Sequence, residues 1–573
     1  MGTISDKLMR IINTKEDIRQ ALISKGYDVP TSIPFKEYAK MILDLPCKVD
    51  SFPDIEGIVA RYSASGLTNE QMAANPVWVD KTGNGHDLQL KNFSWKGMFG
   101  IGGYVADIDE WGTNSTAAYF ERNSIKITAT FKENASLGLL YHNIKLRQSC
   151  VLKVTGIPEG CDAFLDDRLG NRFYMSEDGV YEIIPSNFLA EALYFSIEKY
   201  PEGWYGSKLT IEQLPLYPGA LVFDGVDDYG VCDNFPILTK EKGYTVVALR
   251  QWITYNPNVI SAIATNASDR SFNGAFTFEN HNKGAEQTIS YGATQISLQY
   301  SKSPFSWQTT SKYNGVNIAN GNKDATNSLV LGRSYPQRND FANFAIWELV
   351  FLDHDATEEE LTKIKDYFVK TYPWLFPDQA WTVVGKTNED EDRATIANIT
   401  GNGNDLVLSN FGFAEGSGYN EEGEYAGYLV TDGVDDKIIS SIFKMGNDWT
   451  VIGDWELINT GKNDNAGIVK FDSIVIYNYN SMLINIKNGR NILIPDQNTV
   501  NAICSDGRIY SKDWKESIYN EETESTSKNL LTIGYSGNTY TKIAFKNLAI
   551  YPTVLSREDC IKAYNYLQTL KAK

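Results

Sequence analysis

The chain of 573 residues contains no Cys-x-x-Cys pair, only four histidines, and no run of 18 consecutive apolar residues. Each absence removes a class of protein. His86, His142, His281 and His354 stand far apart, none at a metal-ligand spacing to a cysteine or to another histidine, so a zinc site is not expected. The six cysteines, at 47, 150, 161, 232, 504 and 560, read as reduced and mostly buried. Only Cys150 and Cys161 are close in sequence; a bridge between them is conceivable, but two separate small core residues fit better. The start, MGTISDKLMRIINTKED, lacks the apolar stretch of a signal peptide, and Asp6 stands where a myristoylation signal needs Ser or Thr, so synthesis in the cytoplasm without membrane insertion is expected. Basic clusters are missing as well. With 53 Lys and Arg against 72 Asp and Glu the net charge is −19, which repels a phosphate backbone and argues against nucleic acid as a partner. No G-x-S-x-G, H-E-x-x-H or phosphate loop occurs, and GIGGY from Gly100 reads as a turn beside Tyr104.

What is abundant is aromatic side chain and glycine. Aromatic residues make up 12 %, with 33 Tyr and 12 Trp, beside 45 Gly. This balance suits pleated, half-buried strands joined by tight turns. The length exceeds what one hydrophobic core can serve, and domains of roughly 100 to 200 residues give three or four of them.

A repeat locates those domains. TGNGHDLQLKNF, 82–93, returns as TGNGNDLVLSNF, 400–411, a separation of 318 (400 − 82). LVFDGVDDYGV, 221–231, returns as LVTDGVDDKII, 429–439, and ELVFLDHDATEEELTKIKDYF aligns without a gap on NLAIYPTVLSREDCIKAYNYL. From TGNG to DGVDD takes 142 residues in the first copy (224 − 82) and 32 in the second (432 − 400). The excess of 110 (142 − 32) is the size of a small domain lodged in a loop of the first copy. The expected division is 1–48 as a helical segment, 49–112 with 218–376 as the first module, 113–217 as an inserted β-sandwich, and 377–573 as the second module. Short alternating runs such as AFTFE, SLVLG and SIVIYNYN, punctuated by Gly, Asn and Asp, predict antiparallel sandwiches, and SIKITATF, SCVLKVTGI, GVYEIIP and KLTIEQL predict strands in the insert. One helix closes each module, with Thr357 and Glu360, and Ser556 and Asp559, at the spacing of a capping box; Asp is the weaker partner there.

The segments DKTGNGHDLQL, LVFDGVDDYGV and DATEEEL resemble the concanavalin A-like, laminin G-like jelly rolls, which implies a mainly β fold with two such modules. The second copy departs at Asn398, Thr431 and Lys437. That fold hosts lectins, adhesion modules and enzymes alike. The N-terminal stretch NTKEDIRQALISKGYDVPTSIPFKEYAKMI resembles a segment near the start of many phage virion proteins, especially fibre and tail proteins, with similar modular proteins encoded by crAss-like phages. Around it, Phe35, Tyr38, Ile42 and Leu43 share one helical face and Leu8, Ile11, Ile18 and Leu22 share another, with Lys15 interrupting it. Faces so short cannot bury themselves. Attachment to capsid, portal or tail proteins, self-assembly into a homo-oligomer, and a helical hairpin packed on the first module would each cover them. The resemblance implies a virion appendage, a head or tail fibre exposed on the particle surface, whose sandwiches adhere to host-surface polysaccharide. A capsule-degrading hydrolase and a spacer without ligand are the alternatives.

No pair among the 72 acidic residues is singled out by sequence as catalytic, so neither enzyme activity nor a cofactor is expected. Trp95, Tyr104 and Trp111, near loops, are candidates to stack on sugar rings, although core packing is the commoner fate of a tryptophan. Asp227 and Asp228 in DGVDD are a candidate calcium pair, against the simpler reading that Asp224 and Gly225 form a tight turn whose neighbouring carboxylates accept from nearby amides.

Overall fold

The segment FAIWELVFL does not alternate, as a strand with one solvated face would, and all nine of its residues are buried in strand Phe344–Leu352. It is the spine of the first module. The computed structural model describes residues 52–572 apart from internal stretches, the longer ones being 109–117, 133–140, 145–149, 184–192, 199–205, 255–261, 269–275, 279–294, 307–324, 334–339, 459–466, 495–499 and 519–530. The chain divides into two units, Met1–Asp54 and Ile55–Lys573. Leu8, Ile11, Ile18, Leu22, Phe35, Tyr38, Ile42 and Leu43 belong to the first and lie outside the described residues.

The second unit is mainly β. In the first module one sheet runs in the order Pro304–Ser306, Gln295–Tyr300, Thr245–Trp252, Phe344–Leu352, Leu221–Val222, Gly100–Ile101, with Ile58–Ser63 also paired to the spine. The facing sheet runs Thr277–Phe278, Ala264–Ala267, Ala325–Leu331, Tyr229–Cys232, Leu88–Lys91, Val77–Trp78. One core joins the two layers, with Trp78, Leu88 and Leu331 from one sheet meeting Tyr62, Trp252, Phe344 and Phe351 from the other. The second module repeats the plan: Gly418–Tyr419, Leu429–Val430, Ile543–Tyr551, Thr450–Leu457 and Val500–Cys504 stand in the corresponding order, with Gln379–Thr382 paired to the spine Ile543–Tyr551. Even a bulge recurs. The register slips between Leu249 and Arg250 in the first module and between Asp454 and Trp455 in the second, 205 positions on (454 − 249).

The closing helices follow their caps. Thr357 and Glu360 form both halves of a capping box on Glu358–Thr371. At Arg557–Leu567 the Ser556 side chain accepts from the Asp559 amide, while the Asp559 carboxylate takes the Ser556 hydroxyl instead of reaching back to the backbone, one methylene too short. The first helix is anchored to its sheet by polar groups. Arg61 and Glu348 pair at 3.3 Å with side chains 5 % and 0 % exposed, Arg61 donates to the Tyr367 hydroxyl at 2.8 Å, and the Tyr372 hydroxyl donates to Glu348 at 2.7 Å.

The insert is its own two-layer body. Gly179–Ile183, Cys150–Thr155, Lys208–Gln213, Lys126–Phe131 and Ala118–Arg122 form one sheet, and Arg172–Met175, Asp162–Asp166, Leu193–Glu198 and Tyr141–Ile144 the other. Its core, built on residues such as Leu152, Leu165 and Ile211, also takes in Ile108. The insert's packing therefore begins before residue 113, a shift that spacing between landmarks could not reveal because Ile108 declares its side only through contact. Cys150 is buried in this core.

The two chain crossings into the insert are zipped together. The Leu216 and Tyr217 amides donate to the Gly103 and Gly102 carbonyls, both at 2.8 Å. GIGGY is thus more than a turn beside Tyr104. Gly102 and Gly103 have φ of +89° and +62°, and a Cβ on them would stand 2.9 Å from Pro215 Cβ and 2.8 Å from Tyr217 Cδ2. Because the ends already meet, excising residues 105–214 behind a short Gly/Ser linker is expected to leave a first module that melts cooperatively by circular dichroism. An insoluble product, with the isolated insert also unfolded, would overturn this.

Candidate functional site

The repeated loops fold alike because their side chains replace missing backbone partners. In the first module Asp224 Oδ1 accepts from the Val226, Asp227 and Asp228 amides at 2.7, 3.1 and 3.1 Å, while the Asp224 amide donates to Asp228 Oδ2 at 3.1 Å. Asp432 and Asp436 repeat all four bonds in the second. Asn92 and Asn410 tie the loops down by donating to the Asp227 and Asp435 carbonyls, each at 2.9 Å. The TGNG turns are built on the same principle: Asp80 Oδ1 accepts from the Arg61 and Thr82 amides, and Asn398 Oδ1 from Ala380 and Thr400, so the change from Asp to Asn keeps the acceptor.

Carboxylate oxygens of Asp224, Asp227 and Asp228 lie within 4.8 Å of one another, as do those of Asp432, Asp435 and Asp436. Calcium takes six to eight oxygens, and here the Asp224 and Asp432 carboxylates are already engaged by backbone amides. Burial, followed by the charge of Asp224, pushes the Asp228 carboxyl up to about 8; burial pushes Asp436 up to about 6. The folded state therefore holds protons that the unfolded chain releases near pH 4, so stability contributed by these groups falls as pH rises from about 4 through 6 and 8. The melting temperature is expected to drop between pH 5 and pH 8.5, and Asp228→Asn with Asp436→Asn to flatten the drop. A wild-type melting temperature that rises across that interval would contradict the assignment.

The aromatic candidates separate. Trp95 is half-buried against the first core with φ of +54°, and Phe93 stacks on one of its faces at 4.7 Å. Tyr104 is half-buried, its hydroxyl pushed up to about 12 by burial and then by Glu212 and Glu70. Trp111 lies outside the described residues.

A concavity lies elsewhere, where the two modules and the insert's return segment meet. This cleft of about 610 Å3 is walled by Gln251, Thr254 and Asn343 from the first module, by Tyr217 and Phe99 near the crossings, and by Gln568, Thr569, Lys546 and Lys571 from the second. Gln251 donates across it to the Thr569 hydroxyl at 3.2 Å. On the second module's side, Asp454 collects the Tyr428 hydroxyl, Gln568 Nε2 and Lys546 Nζ at 3.0, 3.2 and 3.4 Å. Sequence reading missed these residues. QLPLYPG shows a chain return, but nothing local shows that Tyr217 would face residues more than 300 positions away.

No protein-family model matches the sequence, and no curated protein does. Among solved structures, the chain is similar to Trypanosoma rangeli sialidase in complex with sialic acid, at 10 % identity and TM-score 0.23 over 80 % of this chain and 84 % of that one. It is also similar to Trypanosoma rangeli sialidase alone, at 8 % identity and TM-score 0.23 over 77 % and 81 %. The third is the N-terminal CBM22-1-CBM22-2 tandem domain of Paenibacillus barcinonensis Xyn10C, at 8 % identity and TM-score 0.14 over 46 % and 99 %. The appearance of sialidases corrects the expectation, drawn from the sequence, that the chain is not an enzyme. At these TM-scores the likeness assigns no reaction and no catalytic residue to this chain.

Proposed function

We propose that the chain is a virion appendage protein, a head or tail fibre, that docks through residues 1–48 and presents two concanavalin A-like, laminin G-like modules to host-surface glycans. The observation that supports it is the tandem repetition of one two-sheet module, down to its bulge and its DGVDD loop, within a single unit. Duplicated surfaces on one chain, multiplied again by a homo-oligomer, turn weak individual contacts into avid adhesion. The eight apolar side chains of the N-terminal segment supply the docking energy, each worth roughly 1.5 to 3 kcal/mol when buried.

Two measurements test the reading. Removing residues 1–48 is expected to leave both modules folded and to abolish self-association and incorporation into particles; a truncated protein that sediments as the full chain does and still appears on virions removes the docking role. Incubation of the full chain with host capsular polysaccharide is expected to show retention. Release of reducing ends would make the protein a depolymerase, and neither retention nor release would make it a spacer.

A further inference from the structure

The cleft between the modules has a lining that its neighbours do not saturate. Tyr217 lines it and is 5 % exposed. Burial alone pushes its ionisation well upward, so it remains a neutral donor and acceptor. Two glycines with positive φ, Gly102 and Gly103, give the room in which Pro215 and this ring sit. Opposite, Gln568 Oε1 is buried without a partner while its Nε2 is held by Asp454. Thr254 donates to Asn343 at 2.9 Å, which orients that pair at the same wall.

We propose that this cleft binds a neutral oligosaccharide, and that its site exists only when both modules are in place. The inference rests on the glycan-adhesion reading and names where and what kind. Its volume falls within the roughly 300 to 1,000 Å3 of small-ligand sites. The lining alternates carbon surface from Phe99, Ile253 and Val384 with amides and hydroxyls. A pyranose matches such a wall, since its C–H faces are apolar and its edge carries hydroxyls that both donate and accept. Charge selects the neutral class: Lys546 is already paired with Asp454, Asp224 and Lys571 in the same wall offset each other in sign, and a chain of net charge −19 repels polyanions at a distance.

The test uses the full chain and saturation-transfer NMR with isothermal titration against neutral di- to tetrasaccharides of glucose, galactose, mannose and N-acetylglucosamine, and against hexuronate oligosaccharides. Binding of at least one neutral member is expected, weakened about tenfold by Tyr217→Phe, the change that follows from losing one hydrogen bond worth about 1.4 kcal/mol. Val384→Trp, which fills the cleft from the second module, should abolish it. Melting curves that match wild type show that each variant is folded. Neutral binding indifferent to both variants overturns the cleft while leaving adhesion through another surface. Binding of hexuronates alone overturns the neutral class. Absence of binding to any saccharide overturns the cleft assignment together with the adhesion reading on which it rests.

Discussion

Glu348→Ala is expected to destabilise the first module by about 3–5 kcal/mol, the cost of leaving a buried cation without its partner. Arg61 is held in a buried place: its side chain is 5 % exposed, lies 5.1 Å from the centre of the Tyr367 ring, and meets Glu348 at 3.3 Å. Tyr372 would lose its acceptor as well. The second module shows how the same place is filled without charge. Pairing along the spines puts Ala380 opposite Ala549 where Arg61 is opposite Val350, and Asn547, buried with its amide unpartnered, where the first module has Glu348. Replacing both partners, Arg61→Met with Glu348→Leu, is therefore expected to recover most of the loss, since it removes the charge and the need for a counter-charge together. Guanidinium unfolding followed by far-UV circular dichroism would read the difference. A single variant within about 1 kcal/mol of wild type would mean that water reaches the pair and the charge is not buried in solution.

Trp347→Ala is the second large effect. Trp347 is fully buried but belongs to the spine's face away from the first core, and its indole N–H donates to the Pro218 carbonyl at 2.8 Å, at the point where the chain returns from the insert. Truncation is expected to cost about 3–5 kcal/mol from the void. The lost hydrogen bond also frees the return segment, so new proteolytic cleavage is expected between 214 and 219, next to Tyr217. Trp347→Phe separates the two contributions: it keeps most of the bulk and loses about 1 kcal/mol for the hydrogen bond. If the alanine variant resists protease as wild type does, the insert is held by its backbone pairing with Gly102 and Gly103 alone.

Periodicity and spacing, properties of residues near in sequence, account for much of the architecture. Strands occupy Lys126–Phe131, Cys150–Thr155, Gly179–Ile183 and Lys208–Gln213, within the runs where alternation places them. The capping pair at Thr357 and Glu360 is legible because both halves lie within one helical turn, and the shortfall at Asp559 is legible from its side-chain length. The repeat is visible because equal loops need equal residues: an Asp that accepts three successive amides has few substitutes. Even Asn398 for Asp80 keeps an acceptor oxygen where the turn requires one.

What local pattern does not carry is partnership across distance. Ile108 reads as part of the first module until packing assigns it to the insert. Arg61 and Glu348 are 287 positions apart, and an arginine in an alternating run looks like any solvated cation until its surroundings are known. Trp95 and Tyr104 read as loop aromatics, but Phe93 covers one and burial takes much of the other. The cleft is the extreme case, because its walls come from both modules and the insert's return. The sequence by itself determined the repeated landmarks, the alternating runs that form strands and the capped turns, since each is set by steric and hydrogen-bonding preferences acting within a few residues. Only the tertiary structure decided which charges are buried, where the insert's core begins and that Tyr217 faces a cleft, since burial is a property of the assembled surfaces and no residue carries it alone.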